Sequence, residues 1–124
     1  MIQVFSDRVI NIPYVIIGRK TGEVEIKGSS ILVNPEGFYQ QLGKKIDSCI
    51  TESGKQFTLN ISLQRINTRS SKWLFHVLKG LQIKYLGKKL IVINWYFQHD
   101  NNAIREVGEM FQSLLRLPFN LVIR

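Results

Sequence analysis

Only one cysteine, Cys49, occurs among the 124 residues, so no internal disulfide can form and the fold must rest on a packed core. Long apolar runs are missing too. No stretch approaches the roughly 18 residues of a membrane span, and Met1 to Arg8 holds no basic segment followed by an apolar one. These absences make a cytoplasmic protein with no membrane association the expectation. Proline is scarce, at three residues, and no linker, repeat or low-complexity tract interrupts the chain. With 44% hydrophobic residues, the chain is expected to fold as a single domain, 1–124, around one core. Cys49 follows Phe38, Leu42 and Ile46 at helical spacing and is expected in that core.

Catalytic signatures are equally sparse. The two histidines, His76 and His99, belong to no HxxxH spacing, and no CxxC occurs, so metal ligation is unsupported. Ser70, His99 and Asp100 could be assembled into a triad on paper, but no nucleophile-elbow glycine pattern surrounds the serine. Gly18, Gly22, Gly80 and Gly87 build neither GxGxxG nor GxxxxGK, which leaves no phosphate-cradling loop. No enzymatic activity, cofactor or metal is expected. Carboxylates are also few, nine against 17 lysines and arginines, for a net charge of +8. That excess raises a nucleic-acid or anionic-ligand binding module as the alternative reading. The cations, however, are spread from Arg8 to Arg124 with only short pairs such as Lys44-Lys45 and Lys88-Lys89. Phe and Tyr lie mostly within apolar stripes instead of alternating with basic residues. A basic surface equally suits an acidic protein partner.

Periodicity supplies the architecture. Pro13–Ile17 and Glu23–Ile26, joined through Lys20-Thr21-Gly22, read as an antiparallel hairpin. A helix follows Asn34-Pro35, with Asn34 as its cap, and ends near Ser53-Gly54. Phe57, Leu59, Ile61 and Leu63 alternate with polar residues, predicting a strand over 56–65 with one buried face. Leu74, Val77, Leu78, Leu81 and Tyr85 form a helical stripe over 70–86. The run Leu90-Ile91-Val92-Ile93, extended by Trp95-Tyr96-Phe97, predicts a strand covered on both faces or central in its sheet. Asp100-Asn101-Asn102 offers caps for a third helix with the stripe Ile104, Val107, Gly108, Phe111, Leu114 and Leu115. Phe119–Ile123 closes the chain as a strand. The order β-β-α-β-α-β-α-β is α/β, compatible with a mixed sheet whose central strands are parallel. It resembles the STAS fold of anti-anti-sigma factors, which carry a modifiable hydroxyl where a strand meets a helix.

This chain has the same kind of junction at Asn67-Thr68-Arg69-Ser70-Ser71-Lys72. Ser, Thr and Asn there can cap the following helix through their side-chain oxygens. Alternatively, a phosphoryl group on Thr68 would bring about 1.5 to 2 negative charges to the positive end of the helix, near Arg65, Arg69 and Lys72. The residues alone leave both readings open. Glu106 and Glu109 sit three apart, the spacing of a solvated acidic face.

Arg65-Ile66-Asn67-Thr68-Arg69-Ser70-Ser71-Lys72, then Ile93-Asn94-Trp95-Tyr96-Phe97 with Asp100, then Gly108-Glu109-Met110-Phe111 with Leu117-Pro118-Phe119, resemble the SiaC family of bacterial regulatory phosphoproteins. Ile12-Pro13-Tyr14-Val15, Glu25–Ser30 and Gly37-Phe38-Tyr39 resemble its opening hairpin and first helix more loosely. The resemblance implies a noncatalytic switch phosphorylated on the threonine of the family's Asn-Thr-Ser-Ser motif, here Thr68. A protein kinase and a PPM-type phosphatase would set its state. The unphosphorylated form would bind an effector, by resemblance a diguanylate cyclase in cyclic-di-GMP signalling and biofilm control. It further implies partner contacts through Asn67, Arg69, Ser70, Ser71, Lys72 and Glu109. Arg69 stands where the family usually has a small serine; a long cation there can clamp a phosphate or obstruct a kinase pocket.

Overall fold

Alternation in the middle of the chain sets the architecture of the computed structural model, which describes residues 11–54 and 56–124. Five strands and three helices follow in the expected order: β1 Tyr14–Gly18, β2 Glu23–Ser30, α1 Glu36–Glu52, β3 Gln56–Ile66, α2 Thr68–Tyr85, β4 Leu90–Phe97, α3 Asn102–Leu114 and β5 Phe119–Ile123. The sheet order is β1-β2-β3-β4-β5. The β1–β2 hairpin is antiparallel, and each later strand pairs in parallel with the one before it. Each parallel step needs a crossover, and the three helices provide them.

Phe57, Leu59, Ile61 and Leu63 of β3 and Ile91, Ile93, Trp95 and Phe97 of β4 are all buried. They form one core with Leu74 and Leu78 of α2, Ile46 and Cys49 of α1, and Ile104 and Phe111 of α3. Alternate strand residues such as Thr58, Asn60, Ser62, Asn94 and Tyr96 lie on the other face and are only partly buried. There, Asn94 Nδ2 donates to Asn60 Oδ1 at 2.9 Å and Asn120 Nδ2 to Asn94 Oδ1 at 3.0 Å, an amide ladder across three strands. The helices therefore cover a single face. This corrects one of the two alternatives for β4, cover on both faces: Leu90 is 49% exposed and Val92 faces the open side, while β4 is an inner strand paired with both β3 and β5.

Other departures have local causes. β2 runs to Ser30 instead of Ile26, because Gly28, at φ +101, allows a register shift after which Ser29 and Ser30 pair with Arg65 and Ile66. At the start of α1, Pro35 holds the cap position with helical dihedrals, and the first turn has no side-chain cap, contrary to the role expected of Asn34. Helix α2 begins two residues earlier than its apolar stripe indicates, at Thr68. Leu114, assigned to the buried stripe of α3, is 55% exposed. Gly108 does lie against the sheet: a Cβ there would come within 2.5 Å of Trp95 and 2.9 Å of Leu121, so only glycine lets α3 approach β4 and β5 this closely.

Candidate functional site

The carboxyl ends of parallel strands are where helix N-termini gather and where α/β sheets commonly bind ligands. At that rim β3 ends in Ile66 and α2 begins. Asn67 has extended dihedrals, and its Oδ1 accepts from the Ser70 N–H at 2.9 Å, the bond that defines an N-cap. Its Nδ2 donates to the Leu32 carbonyl at 2.9 Å and its backbone N–H to Ser30 at 3.0 Å. One residue thus caps α2 and fastens the β2–α1 loop to it. Thr68 is relieved of capping. It is exposed at the first helical position, and among the described residues none hydrogen-bonds its hydroxyl.

The neighbouring residues have different tasks. Arg69 is exposed, and its Nη1 donates to the Val33 carbonyl at 3.0 Å, a second tie to the loop. Ser70 is fully buried, with no partner for its hydroxyl among the described residues. Ser71 Oγ donates to the Thr68 carbonyl at 2.9 Å. Lys72 is exposed four residues after Thr68, on the same side of the helix. Val33, Asn34, Glu36, Arg69, Lys72 and Trp73 are among the residues lining a cleft of about 460 Å³ beside this turn. Arg69, Lys72 and the N-terminal end of the helix dipole give the turn a positive character, favourable for an anion at Thr68.

Asn67 to Lys72 therefore come together, whereas Glu109 does not join them. It is exposed on α3, seven residues or about 10 Å along the axis from the helix start, and shares neither the cleft nor a hydrogen bond with the first turn of α2. Its neighbour Gly108 is the packing contact described above. Sequence alone marks Asn34-Pro35 as a helix start but does not single out Leu32, Val33 or Trp73. The loop's part is played by backbone carbonyls, which carry no side-chain signal, and Trp73 falls outside the apolar stripe read from Leu74 to Tyr85.

Two titrating clusters lie outside the turn, the second at the far end of α2. The Tyr39 hydroxyl is 2.6 Å from Ser30 Oγ, and burial pushes its pKa up to about 12. Asp47 accepts hydrogen bonds from Tyr85 and from Lys84, and these hold its carboxyl below the usual range. Among the described residues no group of three or more His, Cys, Asp and Glu could hold a metal. No helix there is long and apolar enough to cross a membrane.

Comparison with known proteins places this geometry in context. The family model described as SiaC family regulatory phosphoprotein matches residues 7–124. An uncharacterized protein of Pseudomonas aeruginosa strain UCBPP-PA14 is 24% identical over 103 residues, covering 81% of this chain and 79% of that protein. A chain in the crystal structure of the diguanylate cyclase SiaD in complex with its activator SiaC, from Pseudomonas aeruginosa, matches with a TM-score of 0.81 at 19% identity. The match covers 92% of this chain and 93% of that one. Apo-SiaC from the same organism matches with a TM-score of 0.79 at 19% identity, over 98% and 99% of the two chains.

Proposed function

This chain belongs to the SiaC family of regulatory phosphoproteins, and on that premise we propose that it is a noncatalytic switch whose unphosphorylated form binds an effector protein and whose control point is Thr68. The observation that carries the reading is the division of labour at the start of α2. Asn67 does the capping, so Thr68 is not needed as the cap and presents beside Arg69 and Lys72 an exposed hydroxyl that no described residue hydrogen-bonds. A cytoplasmic kinase and a PPM-type phosphatase would set its state. The effector we assign is a diguanylate cyclase, the class that SiaC activates in the Pseudomonas aeruginosa complex.

Phosphorylation would act locally. About 1.5 to 2 negative charges at the interface impose repulsion and a desolvation cost without any change of fold. A loss of about 2 to 5 kcal/mol, the scale for spoiling a buried polar contact, is enough to release a micromolar partner. Intact-mass analysis and peptide fragmentation of protein from its native cells, with phosphatase-treated material as control, test the modification. Phosphate on Thr68 is expected; an unmodified Thr68 across growth conditions would leave a constitutive binding module.

One observation favours the anionic-ligand alternative. On the open sheet face Tyr14, Lys27, Ser62, Tyr96 and Arg124 help line a hollow of about 700 Å³ with no Asp or Glu among its described residues. Salt-sensitive binding of single-stranded DNA or RNA that ignores Thr68 would support that reading instead.

A further inference from the structure

On the face of the sheet that no helix covers, toward the carboxyl ends of β3, β4 and β5, two cations flank one hydroxyl. Arg124 follows β5, and its backbone N–H donates to the Phe97 carbonyl at 2.9 Å. Its guanidinium lies 4.1 Å over the Tyr96 ring and donates through Nη1 to Ser62 Oγ at 3.1 Å. These contacts fix its position. Only one of the five guanidinium N–H donors is used in a hydrogen bond among the described residues. Ser62 accepts that bond, so its own proton is left for a second acceptor.

Lys27 stands on the other side of Ser62. The two are in register across β2 and β3, one strand spacing of about 4.8 Å apart. Lys27 is exposed and has no hydrogen bond or ion pair among the described residues. The hollow of about 700 Å³ that these residues line falls within the roughly 300 to 1,000 Å³ of small-molecule sites. Gly28, at the β2 bulge, also lines it, and a Cβ there would meet nothing within 4 Å, so space is left where another residue would place a side chain. The rest of the lining suits a planar ring. Tyr14 lies directly opposite Lys27 on β1 and is 48% exposed. Gln64 and Gln98 are exposed at the rim, each with an amide that both donates and accepts.

We propose that this hollow binds a small phosphorylated metabolite with a planar ring, of the nucleoside monophosphate kind. Its phosphate lies between the Lys27 ammonium and the Arg124 guanidinium and accepts the Ser62 proton, while its ring stacks on Tyr14 with its polar edge toward Gln64 and Gln98. The inference rests on the anionic-ligand reading of this face and is independent of Thr68. A small ligand fits better than a nucleic-acid strand. Glu23 and Glu25 share the Lys27 face of β2, so a longer polyanion crossing the sheet would meet carboxylates where it needs cations.

NMR titration of the isotope-labelled full chain with the common ribonucleoside 5′-monophosphates tests the proposal, with adenosine, inorganic phosphate and an oligothymidylate for comparison. At least one nucleotide should shift the Lys27, Ser62 and Tyr96 signals saturably. Adenosine and phosphate alone, and the nucleotide with Lys27→Gln or Arg124→Gln, should each bind at least about tenfold more weakly, the scale of a lost hydrogen bond between charged groups. Thr68→Asp should leave the affinity unchanged. The absence of any saturable shift, shifts scattered over lysines outside the hollow, adenosine binding as tightly as its phosphate, or full affinity in both glutamine variants would overturn it. Tighter binding of the oligothymidylate than of every mononucleotide would overturn it in favour of a nucleic-acid surface. None of these results bears on phosphate mapping at Thr68, so the small-ligand site and the switch fail independently.

Discussion

Asn67 and Thr68 divide structural and signalling work between adjacent residues, and substitution should separate the two. Asn67→Ala removes both the cap and the tie to Leu32, and chemical denaturation should show a loss of about 1 to 2 kcal/mol. Thr68→Ala should stay within about 0.5 kcal/mol of the parent, because its exposed hydroxyl bonds to none of the described residues. Ser70→Ala is expected to be neutral or stabilising by up to about 1 kcal/mol, since it removes a buried hydroxyl that lacks a partner among the described residues. A large loss in the same unfolding series would mean that Ser70 has a bond not described above. The junction itself was legible in the sequence, as alternation giving way to a helical stripe around a run of Asn, Thr and Ser. Which of those residues caps was not, because all three types can accept the same N–H.

Among the elements, α3 depends on a single glycine. Gly108→Ala would force α3 off Trp95 and Leu121, and the Trp95 Nε1 bond to the Ile104 carbonyl, 3.0 Å long, would be strained with it. Overpacking of this kind typically costs about 1 to 3 kcal/mol, so the variant should melt several degrees lower. An unchanged melting temperature would show that the helix can move outward freely. Element order and type were legible because period-two and helical patterns alternate cleanly along the chain. The one-sided cover of the sheet was misread from Leu90-Ile91-Val92-Ile93, since an apolar residue on an open face looks like one in a core. The better signal lay in β3 and β4, where Thr58, Asn60, Ser62 and Asn94 put polar groups on the outer face at regular intervals.

At the scale of the whole molecule, cross-element bonds tie the fold together and give it a pH dependence. The depressed pKa of Asp47 means that its bonds to α2 stabilise the fold above the usual carboxylate range and are lost as pH falls through the lower folded value. Asp47→Asn should therefore flatten the fall in stability below about pH 4. Tyr39 acts with the opposite sign: its folded pKa of about 12 lies above the ordinary 10.0, so its contribution is complete below pH 10 and disappears between there and about pH 12. Urea denaturation across both ranges reads each effect against its variant. None of this depends on Thr68, which leaves the surface free to signal while the fold stays constant. The most direct test of that claim is calorimetric titration of a diguanylate cyclase from the same cells with the unmodified chain and with the chain carrying stoichiometric phosphothreonine at position 68. The account predicts binding by the unmodified form and at least about 30-fold weaker binding by the phosphorylated one, the equivalent of about 2 kcal/mol. Equal affinities for the two forms would contradict it.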